Sequence, residues 1–255
     1  MTLLPASMLR EPTITVLARP HFTEPSHLPV EWIGDATDGD RLMAFTGRLC
    51  SMSQRNPAGR STREYLETLK GPEHFGVLDH ATYSLLFEGV SRALAHTLVR
   101  ESVGFSFSER SPRFVHDEDV CFVMPPAILG DDALERAWTA QIGAAHECYV
   151  ALVNTLMTRY GWVTDKTQRR KMAREAAYQV LPSGTATQMV VTGSVRAWRT
   201  MILHCGSEHA DLEMRRVALG ALRLMRAEAP AVFRDIEIYQ ASDRRDAARI
   251  GYASV

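Results

Sequence analysis

The chain has 255 residues, 45% hydrophobic and 23% charged, enough to bury a core of its own. A formal net charge of −1 gives no general attraction to nucleic acid or an anionic membrane, so a phosphate must be met by locally clustered cations. Cysteines at 50, 121, 148 and 205 form no C-x-x-C pair and have no close histidine partners, which argues against a metal site and for a reducing cytoplasm; no apolar run of 18 residues and no cation-then-apolar leader points to export or to a membrane span.

In chain order, a short strand is predicted over 13–17, followed by an irregular stretch carrying Pro20, Pro25 and Pro29. Asp40 is expected to cap a helix with Leu42, Phe45 and Leu49 on one face, and 63–69 reads as a second short helix. Between 81 and 88, Tyr83, Leu85 and Phe87 alternate with Thr82 and Ser84, the pattern of a strand covered on one side; 185–192 is a second such run. Helical periodicity covers 90–101, much of 133–160, and 166–178. Ser194 is placed to cap a helix running to about 204. Ser207 is placed to cap another, with Glu208 and Asp211 in its first turn and an apolar stripe of Ala210, Met214, Val217, Ala221 and Leu224. No repeat or low-complexity linker divides the sequence, so the expected architecture is one α+β domain over 1–255, helix-rich, with a small, mostly antiparallel sheet.

Two segments carry candidate chemistry. On the helix over 90–101, Arg92, His96 and Arg100 recur at i, i+4 and i+8, opposite Val90, Leu94 and Leu98. Such a face is either merely solvated or a place to hold phosphate. After Gly104 comes FSFSERSPRFV, read as an ordered loop in which Ser106, Ser108 and Ser111 offer hydroxyls and Arg110 and Arg113 offer forked cations to an anion.

That second segment resembles the signature of the flavin-dependent thymidylate synthases, which runs Arg-His-Arg, two residues, Ser, four residues, Ser, one residue, Arg. Its second half stands here as Ser106, Ser111 and Arg113. GRLC at 47–50, HFGVLDHA at 74–81, EGVSRALAHTLVR at 88–100, VLP at 180–182, VVTGSVRAWR at 190–199 and SEHADLEMRR at 207–216 resemble the family in the family's own order, and APAVFRDIE near the C-terminus resembles its actinobacterial members. The resemblance implies a homotetramer with active sites shared between subunits, FAD as cofactor, methylenetetrahydrofolate as one-carbon donor, NADPH as reductant and a uracil nucleotide as substrate. It implies no nucleic acid. By the same resemblance His74, Arg100, Ser194, Arg196, Thr200 and His209 are expected at FAD. Arg92, Thr97, Glu109, Arg110, Ser111, Arg113 and Tyr178 are expected at the nucleotide, Arg110 through its backbone.

Departures from the family pattern gather in the same segments. Arg-His-Arg is replaced by Arg100, Glu101 and Ser102, with one extra residue before Ser106. Tyr178 stands where an arginine usually reaches the nucleotide, Thr97 where a longer Gln or Glu is common, and Cys205 where the family's catalytically important arginine belongs. A tyrosine does not supply that charge. These changes lead to the expectation of an altered uracil substrate, UMP in specialised nucleoside metabolism such as nucleoside antibiotic biosynthesis. Ordinary dUMP methylation is one alternative, and a catalytically silent flavin- or nucleotide-binding protein is another. No catalytic residue is assigned, and Cys205 is not expected to be a nucleophile.

Overall fold

Alternating burial along two strands builds the central sheet. In β3 (Thr82–Ser91), Tyr83, Leu85 and Phe87 are buried while Ser84 and Leu86 on the other face are more open, and β6 (Ala186–Ser194) repeats the alternation through Thr187, Met189 and Val191. In the computed structural model, which describes residues 7–70, 75–101, 103–116 and 119–251, these strands lie next to each other, between β2 (Thr13–Ala18) and β4 (Phe105–Glu109), in the order β2-β3-β6-β4. The chain is α+β and helix-rich, as its patterning predicts. It divides into two compact units, one made of Met1–Thr13, Phe87–Arg100 and Ser108–Met189, the other of Ile14–Leu86, Glu101–Phe107 and Val190–Val255.

In the first unit, β1 (Ser7–Leu9) pairs in parallel with β5 (Cys121–Val123), a small parallel element beside the expected antiparallel pairing. The long α4 (Asp132–Arg159) starts where the Asp131 carboxylate accepts from the amides of Ala133 and Leu134. It packs with α5 (Lys166–Ala177), capped by Asp165, around a core of Phe122, Ile142, Tyr149, Val153, Ala173 and Ala177. Helix α3 (Arg92–Glu101) begins two residues later than predicted, because Val90 and Ser91 still belong to β3. Its first amides are satisfied from outside the helix: Arg92 N–H donates to the Thr185 carbonyl and Ala93 N–H to Ser183, each at 3.0 Å, while the Ser91 hydroxyl accepts from Leu94. Those bonds fix where Arg92 emerges.

The second unit contains α1 (Asp38–Cys50), α2 (Thr62–Thr68), α6 (Val195–Cys205), α7 (Leu212–Glu228), the short α8 (Pro230–Phe233), and the antiparallel hairpin of β7 (Ile236–Gln240) with β8 (Asp246–Ile250). Trp198 of α6, fully buried, donates its indole N–H to the Tyr83 carbonyl at 3.2 Å and meets Phe105 edge-on at 4.8 Å. Two predicted helix starts move: Thr37 rather than Asp40 caps α1, accepting from the Asp40 amide, and α7 begins after Asp211, leaving Ser207 in the connection. The predicted stripe on α1 is also displaced. Met43, Ala44 and Gly47 are buried there, while Leu49 is exposed. A Cβ at Gly47 would lie 2.8 Å from both Leu69 Cδ1 and Tyr65 Oη, so the helix seats closely at Gly47, beside Ala44 and the buried Met43, and Leu49 turns away. The segment 105–115 is likewise less of a loop than expected, since its first five residues form β4 with Phe105 and Phe107 half-buried and Ser106 and Ser108 exposed on the other face. No helix among the described residues is long and apolar enough to cross a membrane.

Asp40 lies buried inside α1, where its charge is unfavourable. Burial is the main cause that pushes its carboxyl up to about 6, against the opposing effects of the Ala231 amide, the Thr37 hydroxyl and the Lys70 charge. A folded-state value above the ordinary 3.8 means that the native chain binds the extra proton, so this group's contribution is greatest below the ordinary value and is lost as pH rises to about 6. The span corresponds to roughly 3 kcal/mol. Asp40→Asn is expected to flatten the fall in Tm between pH 4 and 6 and to raise Tm at pH 7. Thermal melts across that range check it, and an unchanged pH profile would contradict it.

Candidate functional site

The first unit holds a small pocket of mixed lining built from α3, the end of β4, the turn after α5 and the start of β6. Arg92, Arg110, Tyr178, Thr185 and Thr187 line it, over an apolar floor that includes Tyr149; its free volume is about 20 Å³. The Arg92 guanidinium lies over the Tyr178 ring, 5.1 Å from its centroid, and pairs with the Glu109 carboxylate at 3.2 Å. Three neighbouring strands then contribute one side chain each to a relay: Arg110, just past β4, donates to Gln188 Oε1 at 3.2 Å, and Gln188 donates to Glu88 Oε1 at 2.6 Å. The Arg110 backbone amide is also engaged, with the Gln188 carbonyl at 2.9 Å. Both cations are therefore oriented by a carboxylate or an amide, and a phosphate arriving here would meet forks already aimed.

Beyond that pocket, the turn Pro112–Phe114 places Arg113 with its Nε–H donating to Ser111 Oγ at 3.5 Å and its guanidinium 3.5 Å from Glu175 of α5. Lys171 of the same helix lies over the Phe114 ring at 4.7 Å. This cluster is half open to solvent, with the Arg113 side chain 50% exposed.

The second unit holds a larger cleft of about 640 Å³, within the size range of sites for small organic cofactors. Ser194 caps α6 by accepting from the Ala197 amide, and its hydroxyl donates to Asp79 Oδ1 at 2.7 Å. Arg196, one residue into the helix, pairs with the other Asp79 oxygen at 3.2 Å. Thr200 and His204 continue the polar wall, while Phe105 and Met201 supply apolar surface. Gly104, at φ +85°, closes one side; an added Cβ there would be strained by the backbone and would stand 3.3 Å from Ala197 Cβ. The cleft thus joins hydroxyls and a guanidinium, held by the Asp79 carboxylate, to apolar surface, a lining that suits an amphipathic organic ligand. Cys205 forms part of the wall but is itself almost wholly buried.

The sequence-predicted residues divide accordingly. Arg92, Arg110 and Tyr178 meet in one pocket, Glu109 joins them through Arg92, and Ser111 and Arg113 follow in the next turn. Thr97, half-buried on α3, is not among the pocket's walls. Ser194, Arg196, Thr200 and Cys205 share the larger cleft. Arg100 is exposed in the last turn of α3, and His209 is 88% exposed, its ring 3.9 Å from Glu208 rather than in the cleft wall. His74 lies outside the described residues. Among the described residues no three or more His, Cys, Asp or Glu side chains gather as a metal site would need. The relay of Glu88 and Gln188, the hydroxyls of Thr185 and Thr187, and Asp79 were not predicted from sequence.

Residues 33–231 match the family model described as Thymidylate synthase complementing protein. A protein of Mycobacterium sp. (strain KMS) is 42% identical to the chain over 241 residues, covering 92% of this chain and 94% of that protein. Proteins of Mycolicibacterium gilvum and Mycobacterium tuberculosis are 40% and 39% identical over 237 residues, with the same coverage. All three bear the name flavin-dependent thymidylate synthase.

Proposed function

This chain belongs to the family of flavin-dependent thymidylate synthases, and from that premise we propose that it methylates C5 of a uracil nucleotide, with UMP preferred over dUMP. The proposal covers 1–255 as one family domain, because the matched residues 33–231 run through both compact units. FAD is its cofactor, with methylenetetrahydrofolate and NADPH as cosubstrates. The reading of UMP is supported above all by Tyr178: where the family places an arginine for the nucleotide, a neutral ring lies under Arg92, so the site keeps its cations at Arg92, Arg110 and Arg113 but changes the surface around them. A second reading, dUMP, is favoured by the relatives' name.

In this reading Arg92 and Arg113, with Ser111, bind the phosphate end of the nucleotide, Glu109 holds Arg92 in register until the phosphate competes for it, and the Arg110 amide, expected at the nucleotide from the sequence, is instead bonded to the Gln188 carbonyl. Ser194, Arg196 and Thr200 would hold FAD along the polar wall of the larger cleft; reduced flavin supplies the hydride that completes the methyl group. Thr97, Arg100 and His209 enter only through contacts that assembly would supply, and a homotetramer is therefore part of the proposal. Cys205 is buried in a wall position and is assigned packing rather than nucleophilic attack.

One assay tests the reaction class. Purified protein is given reductant and methylenetetrahydrofolate with UMP or dUMP in parallel, the nucleotide is weighed by mass spectrometry, and the denatured protein is checked for released FAD. Gain of one methyl group with flavin present is the expected result. Flavin or nucleotide binding without methyl transfer would leave only a silent binding protein. Cys205→Ser is expected to keep substantial methylation in the same assay; complete loss with flavin and nucleotide binding intact would instead make the thiol part of the chemistry.

A further inference from the structure

Resting on the reading that the Arg92 pocket receives a uracil nucleotide, we infer that Thr187 is a further substrate-binding residue whose hydroxyl donates a hydrogen bond to an oxygen of the nucleotide's sugar-phosphate end. Thr187 stands on β6 and is 1% exposed. The next two residues on the same face, Met189 and Val191, are apolar and buried, so a valine would fill position 187 with no polar atom to satisfy. Yet the Thr187 hydroxyl has no hydrogen-bond partner among the described residues. Thr185, two positions earlier, differs: its hydroxyl donates to the Pro182 carbonyl at 2.7 Å.

A hydroxyl removed from water and left unpaired is unfavourable, and buried polar atoms nearly always find a partner. Thr187 lines the same pocket as Arg92, Arg110 and Tyr178. That pocket's free volume, about 20 Å³, admits one oxygen-sized group, either a water or one atom of a ligand whose remainder lies outside. Two guanidinium groups in the walls favour an electron-rich oxygen, and the unpaired hydroxyl supplies the matching donor. On a nucleotide that oxygen belongs either to the phosphate or to a ribose hydroxyl; both accept from a threonine, and both displace a bound water.

Calorimetric binding of UMP, dUMP and uridine to the full-length protein and to Thr187→Val, with melts of the unliganded proteins, tests the inference. The valine variant is expected to melt at the same or a higher temperature, because it removes an unpaired group, while binding its nucleotide about tenfold more weakly. Thr187→Ser is expected to restore affinity to within about threefold. Equal weakening for UMP and dUMP with none for uridine places the phosphate at Thr187; weakening for UMP alone places the ribose 2′-hydroxyl there. Should valine prevent folding, Thr187→Ala, which also lacks the hydroxyl, is read in the same way. Unchanged affinity for both nucleotides in the hydroxyl-less variants overturns the inference while leaving the nucleotide reading intact, whereas a wild-type protein that binds neither nucleotide removes both.

Discussion

Arg92→Ala is expected to lower kcat/KM on the preferred uracil nucleotide by about 100-fold, the loss of roughly 3 kcal/mol of charge-assisted contact. The magnitude follows from how Arg92 is held. Its amide is tied to Thr185, its guanidinium pairs with Glu109 at 3.2 Å, and its flat face rests on Tyr178 at 5.1 Å, so the fork is oriented before substrate arrives. Arg92→Lys keeps the charge but neither the fork nor the stacking, and should recover only part of the rate. The fold should barely notice: the Glu109 side chain left behind is 30% exposed, and partly solvated pairs of this kind contribute about 1 kcal/mol or less. Steady-state kinetics alongside a thermal melt separate the two effects. A change of less than about threefold in kcat/KM would remove Arg92 from the substrate site.

The largest effect on stability is expected at Asp235. Arg199 of α6, with a side chain only 7% exposed, donates to both carboxylate oxygens of Asp235, at 2.7 and 2.6 Å, and to the Val232 carbonyl at 2.6 Å. Lys70 approaches the same carboxylate at 3.3 Å. Burial by itself would push the Asp235 carboxyl up, but the hydrogen bonds and charges of Arg199 and Lys70 outweigh it and hold the group below its ordinary value. A depressed folded-state value makes this contribution fully present above the ordinary 3.8 and lost as pH falls through the still lower native value. Asp235→Asn leaves a buried guanidinium without its anion, and a cost of about 3–5 kcal/mol is expected at pH 7, or a fall in Tm on the order of 10 °C. The variant should also lose that part of the acid dependence. Replacing both partners, Arg199→Met with Asp235→Leu, should recover much of the loss, because neither charge is then buried alone. A variant melting within about 2 °C of wild type would contradict this account of the pair.

Much of the scaffold was legible because one-sided burial leaves a period in the sequence. The alternation of Tyr83, Leu85 and Phe87 gave β3, and a hydroxyl followed by a helical pattern gave Ser194 as the cap of α6. Small residues hid the seat of α1: Ala44 and Gly47 carry little hydrophobic signal, yet they permit the close approach to Tyr65 and Leu69. The start of α3 was misplaced because Val90 suits a strand and a helix equally well, and only the bonds from Arg92 and Ala93 to the segment before β6 decide it.

The site was legible where it is local. Arg92 was visible on its helix face, and Ser111 and Arg113 on their short turn. The partners that orient Arg110 were not, since Glu88 and Gln188 become neighbours only through the order β3-β6-β4, which no spacing in the sequence states. Thr187 was hidden for the opposite reason: it fits the strand pattern of a buried face, and only the unpaired hydroxyl distinguishes it from a core residue.

The preference for ribose is tested most directly by internal competition. UMP and dUMP are mixed at equal concentration with the flavoprotein, reductant and methylenetetrahydrofolate, and the two methylated products are followed together by mass spectrometry at low conversion, so that their ratio reports the ratio of kcat/KM values. A site that hydrogen-bonds a hydroxyl discriminates strongly against the analogue lacking it. Methylated UMP forming faster is the predicted result; methylated dUMP forming faster would contradict it and make the chain an ordinary thymidylate synthase.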